Sequence, residues 1–336
     1  MGAKWYLGTG AQNDVVISTS LHLARNLRQF PFPSRLSVPE KIKVNSIVKS
    51  AVDSVEGYDF NYFELKTLSQ SELVSLAERY LVSPEFASSR DGKALLLTDD
   101  ESVSVMLNEE DHIRLQVMYA GFALEEAYRT ADRIDNELNR KLEYAFDDNL
   151  GYLAQNPMAL GTGMRASVVL HLPALVAASQ ITKLITTVSK LGLSLQGSYG
   201  EGAAAKGDLF RLSNTLTLGI SEKAAIDNLK SIALQIAAQE RIAREEIFKN
   251  AITEDKIYRA YGVLKYARLI DTNEFMELIS LVRLGAVKGL IKMDTAKIEA
   301  LMIQMQPATI SLSVDRPLDR VERDKLRALL VRQNLM

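Results

Sequence analysis

Residues 103–117 read VSVMLNEEDHIRLQV, and this stretch decides the kind of domain that the chain forms. Apolar and polar residues alternate on both sides of the acidic tetrad at 108–111, as in two strands that are each buried on one face. In an extended second strand, Glu110 and Arg114 would face the same side of the sheet because they are four residues apart. The stretch therefore predicts a β-hairpin that presents a carboxylate and a guanidinium together.

Helices and further strands surround this hairpin. Residues 37–56 and 121–146 place apolar side chains at helical spacing, and helical spacing returns at 173–190. Alternating segments follow a Gly-Thr-Gly turn at 161–163 and recur at 191–197 and 208–219. Strands joined by hairpins and flanked by helices predict the α+β class with an antiparallel sheet.

From Ser221 onward the pattern is helical only, and Ser221 itself is placed to cap the first of these helices. We predict an antiparallel-sheet α+β domain over residues 1–244 and an all-helical domain over residues 245–336. The helices of the second domain are expected to be separated at Gly262, Gly285, Gly289 and Pro307.

The composition narrows the possible functions. A formal net charge of -2, from 40 basic and 42 acidic residues, provides no overall field toward nucleic acid or a membrane surface. The chain has no cysteine, and its three histidines form no HExxH motif, so we expect no protein-bound metal. It has no apolar run of 18 residues and no signal-peptide pattern, which predicts a cytoplasmic protein.

Three short segments carry residues suited to phosphoryl transfer. The acidic turn is followed by Arg114, the Gly-Thr-Gly loop leads into Arg165, and a Gly-Glu-Gly turn contains Glu201. Arginines bind phosphate oxygens in a bidentate manner, and paired carboxylates can orient a guanidinium and accept its proton. We expect Arg165 and the loop amides to hold an anion. The alternative is that these turns are ordinary connections between strands.

Four motifs in this order resemble the bacterial protein-arginine kinases, relatives of the guanidino (phosphagen) kinases. They are VVIS with LARNL and FPFP (15–33), NEEDHIRLQ (108–116), GTGMRASVVLHLP (161–173) and YGEG (199–202). The resemblance extends from about residue 13 to residue 333. It implies phosphoryl transfer from ATP with Mg²⁺ to arginine side chains of protein substrates. It also implies a homodimer that works with a Clp-type protease and stress-response regulators in protein quality control.

The resemblance implies roles for individual residues. Glu110 and Glu201 would grip and polarise the target guanidinium, Arg114 and Arg165 would hold the ATP phosphates, and Asn156 would lie in the substrate loop. The other positions that it places at the nucleotide are Ser18, Thr19, Ser20, Leu21, His22, Tyr80, Ala166, Ser167, Val168, Val169, Gln196, Gly197, Ser198, Tyr199 and Gly200.

The chain departs from the family pattern at several of these positions. The family has Ser-Ser-Arg-x-Arg where this chain has residues 18–22, and it has an arginine at the position of Gln196. Tyr80 replaces a nucleotide-contacting histidine, and Asn156 replaces the substrate-loop cysteine. A charge-assisted hydrogen bond contributes roughly 1.5–3 kcal/mol, so the loss of three arginines predicts weak or absent catalysis.

The chain could replace the lost arginine contacts to phosphate in two ways. A protonated His22 would supply part of one phosphate contact, and Gln196 would supply a neutral one. Alternatively, the phosphate cage is rebuilt from Lys141, Arg25 or another basic residue, and the chain is an active kinase.

The segment RDKLRA (323–328) predicts a second site. Arg323 and Arg327 lie four residues apart on one helical face, beside Asp324. By resemblance this segment, which ends at Ala328, is a pocket for phosphoarginine. A solvated charged face is the alternative. The leading hypothesis is therefore a catalytically impaired homologue that binds phosphoarginine and regulates a kinase or a protease, and the second is an active protein-arginine kinase.

Overall fold

The computed structural model of the chain describes residues 3–198, 205–314 and 316–335. The strands within these ranges are β1 Val16–Arg25, β2 Phe60–Glu64, β3 Ala94–Thr98, β4 Val103–Leu107, β5 Ile113–Ala120, β6 Phe146–Asp147, β7 Gly151–Tyr152, β8 Met164–His171, β9 Leu193–Gly197 and β10 Leu209–Asn214. Eight of them form one antiparallel sheet in the order β2-β3-β4-β5-β1-β8-β10-β9, and β6 and β7 form a separate ribbon.

Helices flank the sheet and make up the C-terminal part of the chain. They are α1 Val38–Val52, α2 Gln70–Glu78, α3 Pro84–Ser88, α4 Leu124–Asn139, α5 Pro173–Ala177, α6 Ile181–Ser189, α7 Glu222–Ile247, α8 Ala251–Tyr266, α9 Thr272–Lys288, α10 Thr295–Gln304, α11 Pro307–Ser311 and α12 Arg320–Leu335. The predicted α+β class is confirmed. The predicted hairpin is also confirmed, since β4 and β5 pair with Leu107 opposite Ile113.

The two faces of the sheet differ because side chains alternate along each strand. On one face, apolar residues such as Leu21, Val168 and Leu212 form the main core with α1, α4 and α7. The opposite face carries polar residues of the same strands, among them His22 and Arg165, whose Cα atoms are paired in the ladder. The polar face is therefore available for a binding site.

The helix predicted over residues 121–146 is shorter in the structure. Helix α4 ends at Asn139, and Tyr144 forms an isolated β-bridge with Leu27. Leu142 and Tyr144 are still buried in the main core. Leu142, four residues after Leu138, therefore imitated the continuation of an amphipathic helix although it lies beyond the end of α4.

The C-terminal helices follow the sequence prediction only in part. Gly262 and Gly285 lie inside α8 and α9, so the separations predicted there are wrong, whereas Gly289 ends α9 and Pro307 begins α11. A Cβ atom at Gly285 would lie 2.5 Å from Cγ2 of Ile257, so glycine permits the close approach of the two helices. These helices build a second core.

Residues of the sheet extend into this second core. Ile17, Val169 and Leu209 pack with the side chains of α8 to α12. The buried Arg283 guanidinium, on α9, pairs with Glu299 on α10 at 2.7 Å and donates to the carbonyl oxygen of Asp14 at 3.2 Å. Apolar packing and a hydrogen bond from the buried Arg283 thus attach the C-terminal helices to the segment that leads into β1.

The Gly-Thr-Gly loop gives a stability prediction. Gly161 has φ +97°, and a Cβ atom there would lie 2.2 Å from the carbonyl oxygen of Thr217. Gly219 also has positive φ, +74°, but no atom lies within 4 Å of its virtual Cβ. Gly161→Ala should lower the free energy of unfolding by more than about 2 kcal/mol, and Gly219→Ala by about 1 kcal/mol, because only the first adds a clash to backbone strain. Urea unfolding of both variants measures this, and equal losses would contradict it.

Candidate active site

The acidic turn between β4 and β5 is fixed by buried polar contacts. Asn108, with φ 56°, is buried and donates its Nδ2 hydrogens to the Asn45 side chain at 2.8 Å and to neighbouring carbonyl oxygens. The Asp111 carboxylate accepts hydrogen bonds from Asn26 Nδ2 at 2.6 Å and from the Gln155 amide at 2.9 Å. Both ends of the turn are therefore held, and the two glutamates between them project from a rigid support.

The two glutamates of this turn have different partners. Arg114 donates to the Glu109 carboxylate at 2.7 Å, and the Ser83 hydroxyl donates to the same carboxylate. The sequence predicted that Arg114 would lie beside Glu110, but the tetrad is a turn and not an extended strand, so this parity does not apply. The Glu110 side chain is exposed, so its carboxylate is accessible to a cationic group of a ligand.

The environment of Glu110 favours its neutral form. Partial burial is the largest cause that raises the pKa of the Glu110 carboxyl, followed by the negative charges of Asp111 and Glu109. Arg114 and a hydrogen bond from the Asn156 side chain act in the opposite direction. A carboxylate in such surroundings gains from a bound cation and is well placed to accept a proton.

The predicted substrate loop contacts the acidic turn. Asn156 begins a short 3-10 turn at 157–159 and accepts a hydrogen bond from the Met158 amide at 3.0 Å. The preceding amide, that of Gln155, is bonded to Asp111. Met158 is largely exposed. The loop therefore borders Glu110 on the side that is open to solvent.

A cavity of about 700 Å³ opens on the polar face of the sheet, between the strands and α2 and α3. Its volume is within the range of small-molecule sites. The residues predicted at the nucleotide that line it are His22, Tyr80, Arg114, Arg165, Ser167, Gln196, Gly197 and Ser198. The β-ladder brings the central ones together, since His22 pairs with Gln116 on one side and with Arg165 on the other.

Sequence reasoning missed two basic residues of this cavity, Arg211 and Lys206. Arg211 lies on β10, where its Cα pairs with that of Gln196 on β9. The guanidinium carbon of Arg211 lies 5.3 Å from the ring centroid of Tyr80. The alternation of residues 208–219 placed Arg211 on a polar face but could not show which strands would be its neighbours.

His22 is neutral in these surroundings. Burial and then the positive charges of Arg114, Arg211 and Arg165 lower the pKa of the His22 imidazole well below its usual value. These surroundings disfavour a protonated His22, so the phosphate contact predicted for its charged form remains a prediction. Its Nδ1 atom is buried and has no hydrogen-bond partner among the residues that the structure describes. Three guanidinium groups thus converge around an imidazole with an unused polar atom.

Several residues predicted at the nucleotide do not direct their side chains into the cavity. The Thr19 hydroxyl donates to the Gly121 carbonyl at 2.7 Å and accepts from the Ala123 amide at 3.0 Å, at the start of α4. Val169 packs against the C-terminal helices, and Ser18 and Ser20 are buried outside the residues that line the cavity. The side chains of three others belong to the main core: Leu21, Ala166 and Val168.

Part of the predicted YGEG motif cannot be placed. Tyr199, Gly200 and Glu201 lie outside the residues that the structure describes. Ser198, immediately before them, lines the cavity. The predicted catalytic role of Glu201 therefore remains a prediction.

The basic residues suggested for a rebuilt phosphate cage lie elsewhere. The Arg25 guanidinium is buried, pairs with Asp135 at 2.8 Å and lies 3.5 Å from the ring centroid of Tyr152. Lys141 donates to the Ser54 hydroxyl. Neither residue lines the cavity, so the prediction that they rebuild the cage is wrong.

Two amides in and after the Gly-Thr-Gly loop are already used inside the protein. The Thr162 amide donates to the Thr217 carbonyl at 3.0 Å, and the Met164 amide donates to the Thr162 hydroxyl at 3.2 Å. These two amides are therefore not free for an anion, and anion binding by the rest of the loop remains a prediction. The loop fixes the start of β8, and this places Arg165, the second residue of β8, at the cavity.

In the C-terminal motif, the two arginines lie in different environments. Arg327 is 1% exposed and donates to the Met305 and Ile270 carbonyls, at 2.9 and 2.8 Å, and to Asp324 at 2.6 Å. Ala328 is buried beside it. In the part of the chain that the structure describes, no hydrogen bond or ion pair engages the guanidinium of Arg323. Arg327 is therefore a buried structural contact, and Arg323 is open to a ligand.

The described residues contain no group of three or more His, Cys, Asp or Glu side chains that could hold a metal ion. None of the described helices is both long enough and apolar enough to span a membrane.

The sheet with its flanking helices is shared with a class of kinases. Residues 43–243 match the family "ATP:guanido phosphotransferase, C-terminal catalytic domain". The chain resembles the solved taurocyamine kinase of Schistosoma mansoni, a duplicated enzyme with bound transition-state analogue components. Their TM-score is 0.62 at 25% identity, over 69% of this chain and 34% of that one. Lombricine kinase shares the fold, with a TM-score of 0.60 at 22% identity over 71% of each chain.

The C-terminal helices show which family within this class of kinases the chain matches. Residues 250–336 match the "Protein-arginine kinase McsB C-terminal domain". The protein-arginine kinase of Desulforamulus reducens is 43% identical over 99% of this chain and 95% of its own length. That of Moorella thermoacetica is 41% identical over 99% and 97%. The chain belongs to the bacterial protein-arginine kinase family, whose members transfer a phosphoryl group from ATP to arginine in proteins.

Proposed function

We propose that this chain is an active protein-arginine kinase with a rearranged phosphate-binding site. The observation that carries the proposal is the convergence of Arg114, Arg165 and Arg211 on one cavity around the neutral His22, next to the acidic turn. Such a cluster of cations suits a polyphosphate, and the unpartnered His22 Nδ1 suits a polar ligand. This favours the second of the two hypotheses from the sequence.

In the proposed reaction, a guanidinium nitrogen of the substrate attacks the γ-phosphorus of ATP. The N–P bond forms as the bond to the β,γ-bridging oxygen breaks, and ADP leaves with that electron pair. Glu110 holds the target guanidinium and accepts the proton that the nitrogen loses, a role it shares with Glu201. The arginines of the cavity hold the phosphates. Mg²⁺ bound through the ATP phosphates supplies further neutralisation of charge.

A second candidate function is phosphoarginine binding with reduced catalysis, by which the chain would regulate a kinase or a Clp-type protease. It is favoured by the open guanidinium of Arg323 beside Asp324, and by the absence of a thiol at Asn156. The homodimer, the protease partner, the cytoplasmic location and a domain boundary at residues 244 and 245 also remain predictions. The two functions are compatible, since one site lies on the sheet and the other on α12.

Phosphoarginine mass spectrometry tests the proposed activity. The full chain is incubated with Mg·ATP and an unfolded, arginine-rich protein, and the products are kept at neutral pH because the P–N bond is acid-labile. We expect phosphoarginine above the background of a reaction without ATP. An active relative serves as the positive control. No signal beside an active control would contradict the proposal and leave phosphoarginine binding as the function.

Titration with free phosphoarginine tests the second function. Arg323→Ala should weaken binding about tenfold to a hundredfold, because a charge-assisted contact with phosphate is lost. Arg129→Ala, at a largely exposed position on α4 that pairs only with Glu126 among the described residues, is the matched control and should bind as the unmodified chain does. Equal affinities for Arg323→Ala and the unmodified chain would exclude Arg323 as a phosphoarginine ligand.

A further inference from the structure

Arg211 and Gln196 reach the same part of the cavity from neighbouring strands. Their Cα atoms are directly paired in the antiparallel ladder of β10 and β9, and both residues line the cavity. Cross-strand neighbours have Cβ atoms about 4.5–5.5 Å apart, within the length of one arginine side chain. A guanidinium from either position can therefore reach the same ligand group.

The charges of Arg211 and Arg165 are not neutralised by the described residues. Within the described ranges, neither guanidinium has a carboxylate partner at ion-pair distance, whereas Arg114 has Glu109 at 2.7 Å. Among the residues that the structure describes, the Arg165 guanidinium makes one side-chain hydrogen bond, to the Ser213 hydroxyl at 3.5 Å. Burial first, and then the charges of Arg114 and Arg211, lower the pKa of the Arg165 guanidinium. Positive groups placed so close together repel one another, and an anion bound between them would offset that repulsion.

The position of the Arg211 guanidinium is defined by Tyr80. The guanidinium carbon lies 5.3 Å from the Tyr80 ring centroid. The tyrosine is itself anchored, because its hydroxyl lies 3.2 Å from the Ser198 hydroxyl and its carbonyl accepts a hydrogen bond from Gln116 at 2.5 Å. A cation over an aromatic ring keeps its N–H groups free to point past the ring edge. This cation–π contact therefore holds the Arg211 guanidinium beside the Tyr80 ring at the cavity.

We propose that Arg211 is a phosphate-binding residue of the nucleotide cavity, and that it supplies across the β9–β10 ladder the charge that Gln196 lacks. This inference rests on the proposed function, since it takes the cavity to be the nucleotide site. The arginine would bind phosphate oxygens through two N–H groups, as guanidinium groups do. In this proposal the arginine stands on β10 and not on the neighbouring β9, and its positive charge still faces the same cavity.

Mg·ADP binding to the full chain, measured by calorimetry, tests this inference. Arg211→Gln should weaken binding about tenfold to a hundredfold, because one charge-assisted phosphate contact is lost. Adding Gln196→Arg to that variant should restore the affinity to within a few-fold of the original. Arg28→Gln, at a 71% exposed side chain outside the cavity, is the matched control and should leave binding unchanged. Circular dichroism confirms that each variant is folded.

The outcomes separate this inference from the proposed function. Unchanged affinity in Arg211→Gln would overturn the inference, even if the chain phosphorylates arginine. A loss that Gln196→Arg does not restore would also overturn it, since the charge would then not be interchangeable between the strands. Binding that depends on Arg211 in a chain that forms no phosphoarginine would support the inference and contradict the proposed activity.

Discussion

Glu110→Gln should lower the rate of arginine phosphorylation about a hundredfold to ten-thousandfold, the usual contribution of a general base. The substitution keeps the size of the side chain but removes the negative charge that holds the substrate guanidinium. Mg·ADP binding should be unchanged, because the acidic turn supports the cavity through Glu109 and Arg114 rather than through Glu110. Initial rates by mass spectrometry and calorimetric titration with Mg·ADP measure the two effects separately.

The dependence of the rate on pH provides a second measurement of the same role. Glu110 must be ionised to bind the guanidinium, and its surroundings raise the pKa of its carboxyl above the usual value for glutamate. The rate should therefore fall as the pH decreases through this raised pKa, and Glu110→Gln should lack that decrease. Glu143→Gln, at a largely exposed carboxylate, should behave as the unmodified chain. A full rate in Glu110→Gln would remove Glu110 from the proposed reaction.

Arg283→Met should lower the free energy of unfolding by about 3–5 kcal/mol, since it leaves the buried Glu299 carboxylate without its partner. Arg283 is 0% exposed and also donates to His171 Nδ1 at 2.9 Å and to the Asp14 carbonyl at 3.2 Å. It therefore joins the C-terminal helices to β8 and to the start of β1. Urea unfolding followed by circular dichroism measures the loss.

A double variant distinguishes the buried charge from simple loss of packing. Arg283→Met with Glu299→Gln should recover part of the loss, because it no longer leaves an ionised carboxylate in the core. Arg259→Met, which removes an exposed pair with Asp255, should change the stability by less than about 1 kcal/mol. A loss in Arg283→Met no larger than that in Arg259→Met would contradict the structural role of the buried pair.

Local features of the fold were predictable from the sequence because their causes lie within a few residues. The hairpin follows from alternation on both sides of the acidic turn, and Ser221 caps α7 by accepting the Ala224 amide at 3.2 Å. Gly289 ends α9 because it adopts a left-handed conformation that favours glycine. The helix end predicted at Gly285 is wrong because this glycine is needed for close packing against Ile257. That contact is not local in the sequence.

The sequence could predict which kinds of residue lie on the polar face of the sheet, but not which particular residues meet in the cavity. Alternation predicts which face a side chain occupies, whereas the neighbours on that face depend on the pairing of distant strands. Arg211 belongs to the site because β10 lies between β8 and β9 in the sheet, a pairing that the sequence does not show. The same ladder explains why Leu21 and Val168, predicted at the nucleotide, lie in the core.

The sequence by itself determined the α+β class and the family, because these depend on local patterns and on motifs. Only the tertiary structure decided what each arginine does. Arg25 and Arg327 are bonded to buried acceptors, while Arg165 and Arg211 line the cavity and have no carboxylate at ion-pair distance among the described residues. An arginine has the same five donors in every position, so its function is set by the partners that distant parts of the chain bring to it.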